Sequence, residues 1–236
     1  MSQQEVRSPM GEVFAHPAVG AEGIEVARGA TIYTQGSTAE HVYYIHRGQV
    51  RLYQVAPDGQ EARLVEILGP GQWFGCASLS ANGTYVAQAV AATEATLSKV
   101  AAVRFLEHVA ANPEAAQQLI RNLASTVHSA RNEAARLVFQ DCNARLLDAM
   151  LRFSDSAAAT TDGENTVLHL THEQLAQAVG AARETISLAL TEMRHKNLVR
   201  TGRNRLIFNR EALRSFATNV QQTQQRAAKA QQPVAN

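Results

Sequence analysis

The stretch Thr171–Val199 constrains this chain more than any other. Thr171 can cap a short helix, with Gln174 three residues on as the reciprocal partner of a capping box. Leu175, Ala176 and Val179 give that helix a small apolar face. Gly180 supplies a tight turn, because glycine takes a positive φ without a Cβ clash. A second helix follows, with Ile186, Leu190 and Met193 at inward spacing and Arg183, Glu184 and Ser187 left outside near its start. Two short helices joined by a glycine turn, the second opening on a polar face, make a helix-turn-helix.

Charge supports that reading once it is counted by position. Residues 1–165 hold 12 Lys/Arg against 17 Asp/Glu, and residues 166–236 hold 10 against 4. An acidic front and a basic rear predict a rear segment that meets a polyanion, so the helix-turn-helix is expected to bind DNA. The 45% apolar content across 236 residues is enough for one large core or two ordinary ones. No apolar run approaches the ~18 residues of a membrane helix. The start of the chain, Met-Ser-Gln-Gln-Glu-Val-Arg, has no signal-peptide core. Cys76 and Cys142 are too few for a disulfide framework or for the four thiolates of an iron–sulfur cluster. A reduced, cytoplasmic protein without a membrane partner is expected.

Residues 1–20 are polar, which predicts a loosely held start. From Gly23 to about Thr96 the signal is β: Ile32-Tyr33, Val42–Ile45, Val50–Val55, Leu64–Leu68 and Ala87–Ala91 are short β-favouring runs punctuated by glycines. Strands of that length and spacing argue a compact barrel or jelly roll. Pro57-Asp58-Gly59 is a hairpin turn, since proline presets φ and Asp-Gly accepts a positive one. Asn112-Pro113-Glu114 then opens a long helix, with proline where its missing N–H costs nothing. Ala116, Leu119, Leu123, Val127, Ala130, Ala134 and Leu137 recur at threes and fours along it, one apolar seam over roughly six turns. A seam that long, placed between two domains, predicts a dimer coiled coil. A further helix, Asn143–Phe153, carries Leu146, Leu147, Met150 and Leu151, and Ser154–Asn165 reads as a polar loop. Past the helix-turn-helix, a turn at Gly202-Arg203-Asn204 leads into Arg205–Phe208, which suggests a wing. From Thr218 the chain is rich in Gln and Ala, a frayed helix or flexible tail.

This order resembles the CRP/FNR family of bacterial transcription regulators, from about residue 23 to residue 215. Gly29-Ala-Thr-Ile-Tyr-Thr-Gln-Gly36 and Val42-Tyr-Tyr-Ile-His-Arg-Gly48 are similar to the strands of the family's cyclic-nucleotide-binding roll. Gly69-Pro-Gly-Gln-Trp-Phe-Gly75 resembles the approach to its phosphate-binding cassette, and Val179–Ser187 its turn and recognition helix. The resemblance implies an α+β chain: a sensor β-roll or jelly roll over residues 1–111, a dimerisation helix over 112–139, a winged helix-turn-helix over 140–217 and a tail over 218–236. It also implies a homodimer, an inverted-repeat site on double-stranded DNA and RNA polymerase as a further partner. The joint Phe139-Gln140-Asp141 would be the hinge through which the roll reorients the DNA-binding heads.

In cAMP-binding members the cassette runs Phe-Gly-Glu, followed some ten residues later by an Arg with a hydroxyl neighbour. Here the Glu position is Cys76, the Arg position falls on Tyr85 and its neighbour on Val86, with Thr84 the nearest hydroxyl. A phosphate facing Tyr and Val loses its countercharge, so cAMP in the family's usual pose is disfavoured. Gly75, Cys76, Ala77, Ser78, Thr84, Tyr85 and Val86 are therefore candidate lining for an effector pocket of unknown ligand, if an effector exists. Aligning on Phe139 places Ala130 and Arg131 where helix hydroxyls reach the base in cAMP-binding relatives, making Arg131 a candidate anion or guanine-edge contact. Cyclic di-GMP is compatible. A heme held by Cys76 and one of His41, His46, His108 or His128 is another option, as is a thiol switch at Cys76.

For DNA, Arg183 can fork onto guanine O6 and N7, and Glu184 can accept from a cytosine amine. Both match the family pattern, and Ser187 beside them is a further candidate DNA contact. Leu188 departs from it, standing where an Arg is usual and offering only apolar contact, for example to a thymine methyl. Thr185, His172, Arg203 and Arg205 are expected at phosphates. An enzyme reading finds little. His172-Glu173-Gln174-Leu175-Ala176 lacks the second histidine of a zinc-protease motif, and neither a phosphate loop nor Gly-x-Ser-x-Gly occurs, so no catalytic residue and no metal ligand set is expected.

Overall fold

The computed structural model describes residues 9–57, 59, 61–139 and 141–219, leaving out the side chains of residues 9, 133 and 135–139. The chain forms two compact units, one running to Ala134 and the other from Ala135.

In the first unit a helix α1 (Pro9–Ala15) and a 3₁₀ turn (Pro17–Val19) precede eight strands: β1 (Glu22–Val26), β2 (Thr31–Tyr33), β3 (His41–Arg47), β4 (Val50–Val55), β5 (Ala62–Leu68), β6 (Trp73–Phe74), β7 (Gln88–Ala91) and β8 (Ala95–Ala101). They pair antiparallel into two four-stranded sheets, β1-β8-β3-β6 and β2-β7-β4-β5. This is the expected roll.

Its organising strand is β3, whose central residues Val42–Ile45 are buried on both faces. Tyr43 and Ile45 turn toward Val50, Leu68, Phe74, Ala89 and Leu97 in the core of the roll. Val42 and Tyr44 turn the other way, into a cluster with Phe14, Val100, Phe105 and Leu119. That second cluster is supplied by α1, by α2 (Ala102–Ala111) and by the first turns of α3 (Pro113–Phe139). Gly48, between β3 and β4, takes φ 89, and a Cβ there would run into the Glu94 carbonyl, so the turn admits no other residue without moving β8. The β4–β5 turn closes with Gly59 at φ 72, as its sequence predicts, while Asp58 lies outside the described residues.

The expectation of a loose start is corrected from Pro9 onward, residues 1–8 lying outside the described residues. Met10, Val13, Phe14 and Val19 are buried, and the Phe14 ring lies 5.3 Å from Tyr44 and 5.4 Å from Phe105. Met10, Val13 and Phe14 do have helical spacing, but seven residues are too few to stand out as a period. The surface they cover comes from elements thirty or more positions away.

In the second unit α4 (Cys142–Phe153) starts at Asp141, whose carboxylate accepts from the Ala144 N–H at 2.8 Å. There follow β9 (Ala159–Asp162), β10 (Asn165–Leu168), α5 (His172–Val179), α6 (Arg183–His195), β11 (Arg200–Gly202) and β12 (Arg205–Asn209), then a helix over 210–219. The order β11-β12-β10-β9 makes one antiparallel sheet. The polar loop expected over Ser154–Asn165 is thus corrected as well: its second half is a strand, turned at Gly163 (φ 59) into β10. Thr160 and Thr161 favour a strand, but the polar face of β9 gives no apolar alternation to read. Leu146, Leu147, Met150, Phe153, Leu168, Leu175, Ile186, Leu190, Leu206, Phe208 and Leu213 are all buried. The expected tail beyond residue 219 lies outside the described residues. No helix among the described residues is long and apolar enough to cross a membrane.

Candidate functional site

The helix-turn-helix is built by local rules. Thr171 accepts from the Gln174 N–H and Gln174 Oε1 accepts from the Thr171 N–H, each at 3.0 Å, which closes the predicted capping box. Gly180 ends α5 at φ 68, its N–H bonding the Ala176 carbonyl at 2.9 Å. Ala182 caps α6 with no side-chain bond. Ile186, Leu190 and Met193 go inward as expected, and Ala189 joins them.

That burial leaves Arg183, Glu184, Thr185 and Leu188 exposed on the outer face of α6, Leu188 at 68%. Ser187 is different: it is half-buried, and its Oγ lies 3.0 Å from Nδ1 of His172, at the start of α5. The His172 imidazole is held below its ordinary pKa, first by burial and then by the Arg183 charge. Sequence reasoning named both residues but not their pairing, because fifteen positions separate them and only the crossing of α5 and α6 brings them together. In the wing, Asn204 turns the chain at φ 57, and Arg203 and Arg205 are both exposed. Arg205 folds back over Gly202, where a Cβ would stand 2.9 Å from its Nε.

In the roll, Gly75 (φ 91) opens a 3₁₀ turn, Cys76–Leu79, and a Cβ on Gly75 would stand 2.8 Å from the His41 carbonyl. Ser78 is buried and donates to the Gly75 carbonyl at 2.9 Å. Ala77 packs partly against the core of the roll. Thr84 is exposed and its backbone bridges Thr38.

Tyr85 is not an open pocket residue, which corrects its expected place. It is buried, its ring stacks on Tyr33 at 3.7 Å, and its hydroxyl donates to the His41 carbonyl at 2.8 Å. Burial raises the pKa of Tyr33 and Tyr85, so both remain phenols. Val86, in the bend that follows, is 70% exposed. Cys76 is exposed too, although neighbouring atoms still desolvate its thiol. That desolvation, and then the Glu66 charge, raise the thiol pKa, the reverse of what an activated thiolate needs.

Of the histidines considered for iron, His46 bonds Ser98 at 2.7 Å and His108 lies against the His16 ring at 4.4 Å. Among the described residues no three His, Cys, Asp or Glu side chains gather as a metal site. Arg131 is exposed on α3.

The predicted seam divides along α3. Leu119 is buried in the core of its own unit, with Ala115 beside it and Leu123 partly covered. Val127, Ala130 and Ala134 are exposed, as is Ile120. The Leu137 side chain and Gln140 of the expected hinge lie outside the described residues. The continuous seam is therefore corrected at its start: Leu119 serves the roll.

A cyclic nucleotide-binding domain matches residues 24–112, and a Crp-like helix-turn-helix domain matches residues 144–216. The chain is 32% identical over 192 residues to the CRP-like cAMP-activated global transcriptional regulator of Mycobacterium tuberculosis, covering 80% of this chain and 85% of that one. It is 31% identical to the transcriptional regulator LdrP of Thermus thermophilus, covering 76% and 88%. Among solved structures, a CRP/FNR-family transcriptional regulator of Thermus thermophilus superposes with a TM-score of 0.70 at 26% identity, over 84% of this chain and 98% of that one. With the roll and the helix-turn-helix head each matched in order, the chain belongs to the CRP/FNR family of transcription regulators.

Proposed function

We propose that the chain works as a cytoplasmic homodimer that binds an inverted-repeat DNA site, acts on RNA polymerase and has no catalytic activity of its own. The observation that carries this reading is the outer face of α6, where Arg183, Glu184, Thr185 and Leu188 stand exposed over a buried Ile186, Leu190 and Met193. Arg183 and Glu184 read base edges, Leu188 touches a thymine methyl, and Thr185, His172, Arg203 and Arg205 hold phosphates. The half-site is related to the family's but altered at the base pair that an Arg in place of Leu188 would read.

The sensor roll is not built for cAMP in the usual pose, although the Mycobacterium tuberculosis relative is named for activation by it. Tyr85 spends its hydroxyl on the His41 backbone, and Val86 presents an apolar surface, so neither can neutralise a cyclic phosphate. The effector is another molecule, or the head is placed for DNA without one.

Selection of bound duplexes from random sequence, followed by titration of salt, tests the DNA reading. An inverted repeat whose affinity falls steeply with salt is expected, and no preference over scrambled competitor overturns it. Calorimetry with cAMP tests the roll: submicromolar binding would overturn the pocket assignment. Mass and absorbance of the purified protein would reveal a bound cyclic di-GMP or a heme.

A further inference from the structure

The base-reading and phosphate-binding roles do not account for the 3.0 Å link between His172 Nδ1 and Ser187 Oγ. Resting on the DNA-binding reading, we propose that Ser187 is a positioning residue: its hydroxyl locks the His172 ring so that Nε2–H is delivered to a DNA phosphate, and it does not read a base.

The two residues come from different helices, α5 and α6, and both are half-buried while their neighbours Glu173, Glu184, Thr185 and Leu188 are exposed. Ser187 is thus recessed from the surface that would meet base edges. A serine hydroxyl has one proton, and a neutral imidazole has one donor and one acceptor nitrogen. When Ser187 donates to Nδ1, the ring's own proton sits on Nε2, on the other side of the ring. The phosphate then meets a donor, not a lone pair.

The backbone under His172 is fixed as well, because the residue before it is the Thr171 cap. Ordering the ring before DNA arrives removes a cost that binding would otherwise carry. The charged group facing the ring is Arg183, one turn before Ser187 on α6. The hydroxyl serves either ring state, donating to the neutral imidazole and accepting from the imidazolium.

A double-mutant cycle on the full chain, read against the selected operator and all its single-base variants, tests the assignment. Ser187→Ala is expected to weaken binding about two- to tenfold, by the same factor for every variant site. Ser187→Thr, which keeps the hydroxyl, restores most of that loss. In a His172→Ala background, Ser187→Ala costs nothing further. Unchanged affinity of Ser187→Ala, a shifted preference at one base pair, or a loss that persists in the His172→Ala background each overturns the proposal. Absence of any salt-sensitive duplex binding by the unsubstituted chain is a different result, and it removes the DNA reading itself.

Discussion

Arg183 opens α6 exposed to solvent, where a guanidinium can lay two parallel hydrogen bonds on a guanine. Arg183→Ala should cost about 1–3 kcal/mol at the preferred site and relax discrimination at one base pair, read by titrating the site and its single-base variants. His172 supplies a pH dependence whose sign follows from its surroundings. In the free protein, burial and Arg183 hold its pKa below the ordinary value. A phosphate beside it would favour the imidazolium, so the complex should take up a proton and affinity should rise as pH falls through the interval between the DNA-bound and free pKa. Each unit by which DNA raises that pKa adds up to about tenfold. His172→Gln should flatten the profile; a variant with the parent's slope would show that another group is responsible. At this scale the outer residues of α6 were legible, since a helical period assigns faces once Ile186, Leu190 and Met193 are seen to be apolar. The burial of Tyr85 was not. Tyr85 and Val86 lie in a loop before β7 with no period to read, and it is the stack on Tyr33, fifty-two positions earlier, that takes Tyr85 in and leaves Val86 out.

Among the elements, α5 is specified by its own sequence: cap, apolar face and glycine stop lie within ten residues. Thr171→Ala should remove the capping box and cost about 1 kcal/mol of stability in the second unit, measured by denaturant unfolding. The long helix α3 and strands β3, β4 and β5 were legible for the same reason, each carrying its period or its β-branched run within itself. Two other elements depend on distant partners. β9 shows a polar face and is a strand because β10 offers it a ladder. α1 holds in place through Phe14, whose ring meets Tyr44 of β3 and Phe105 of α2. Phe14→Ala should cost about 3–5 kcal/mol, as for other buried aromatic truncations, and free α1 from the roll. Proteolysis within Pro9–Val19 in the variant, and absent there from the parent, would register that release. Equal resistance in both would mean that α1 adds little to the first unit.

For the molecule as a whole, the decisive surface is the exposed half of α3. This helix of 27 residues is about 40 Å long. Its first turns dissolve into the roll through Ala115 and Leu119, and its later turns present Val127, Ala130 and Ala134. Val127 is 50% exposed and Ile120 66%, so a lone chain leaves large apolar groups in water along its longest element. Pairing with a second copy along that stripe would cover them. A two-fold site requires two copies of a recognition helix one duplex turn apart, about 34 Å. Two substitutions separate this account from a purely internal role for the helix. Leu119→Ala removes a side chain from the core of its own unit and should lower stability by about 2–5 kcal/mol while leaving the dimer intact. Val127→Asp touches no buried cluster, so unfolding of the isolated chain should change little. Facing a second copy, however, it sets two like charges against each other in an apolar seam. Sedimentation should then show a monomer that no longer distinguishes an inverted repeat from a single half-site. A Val127→Asp chain that still sediments as a dimer and still prefers the repeat would place the self-association elsewhere on the molecule.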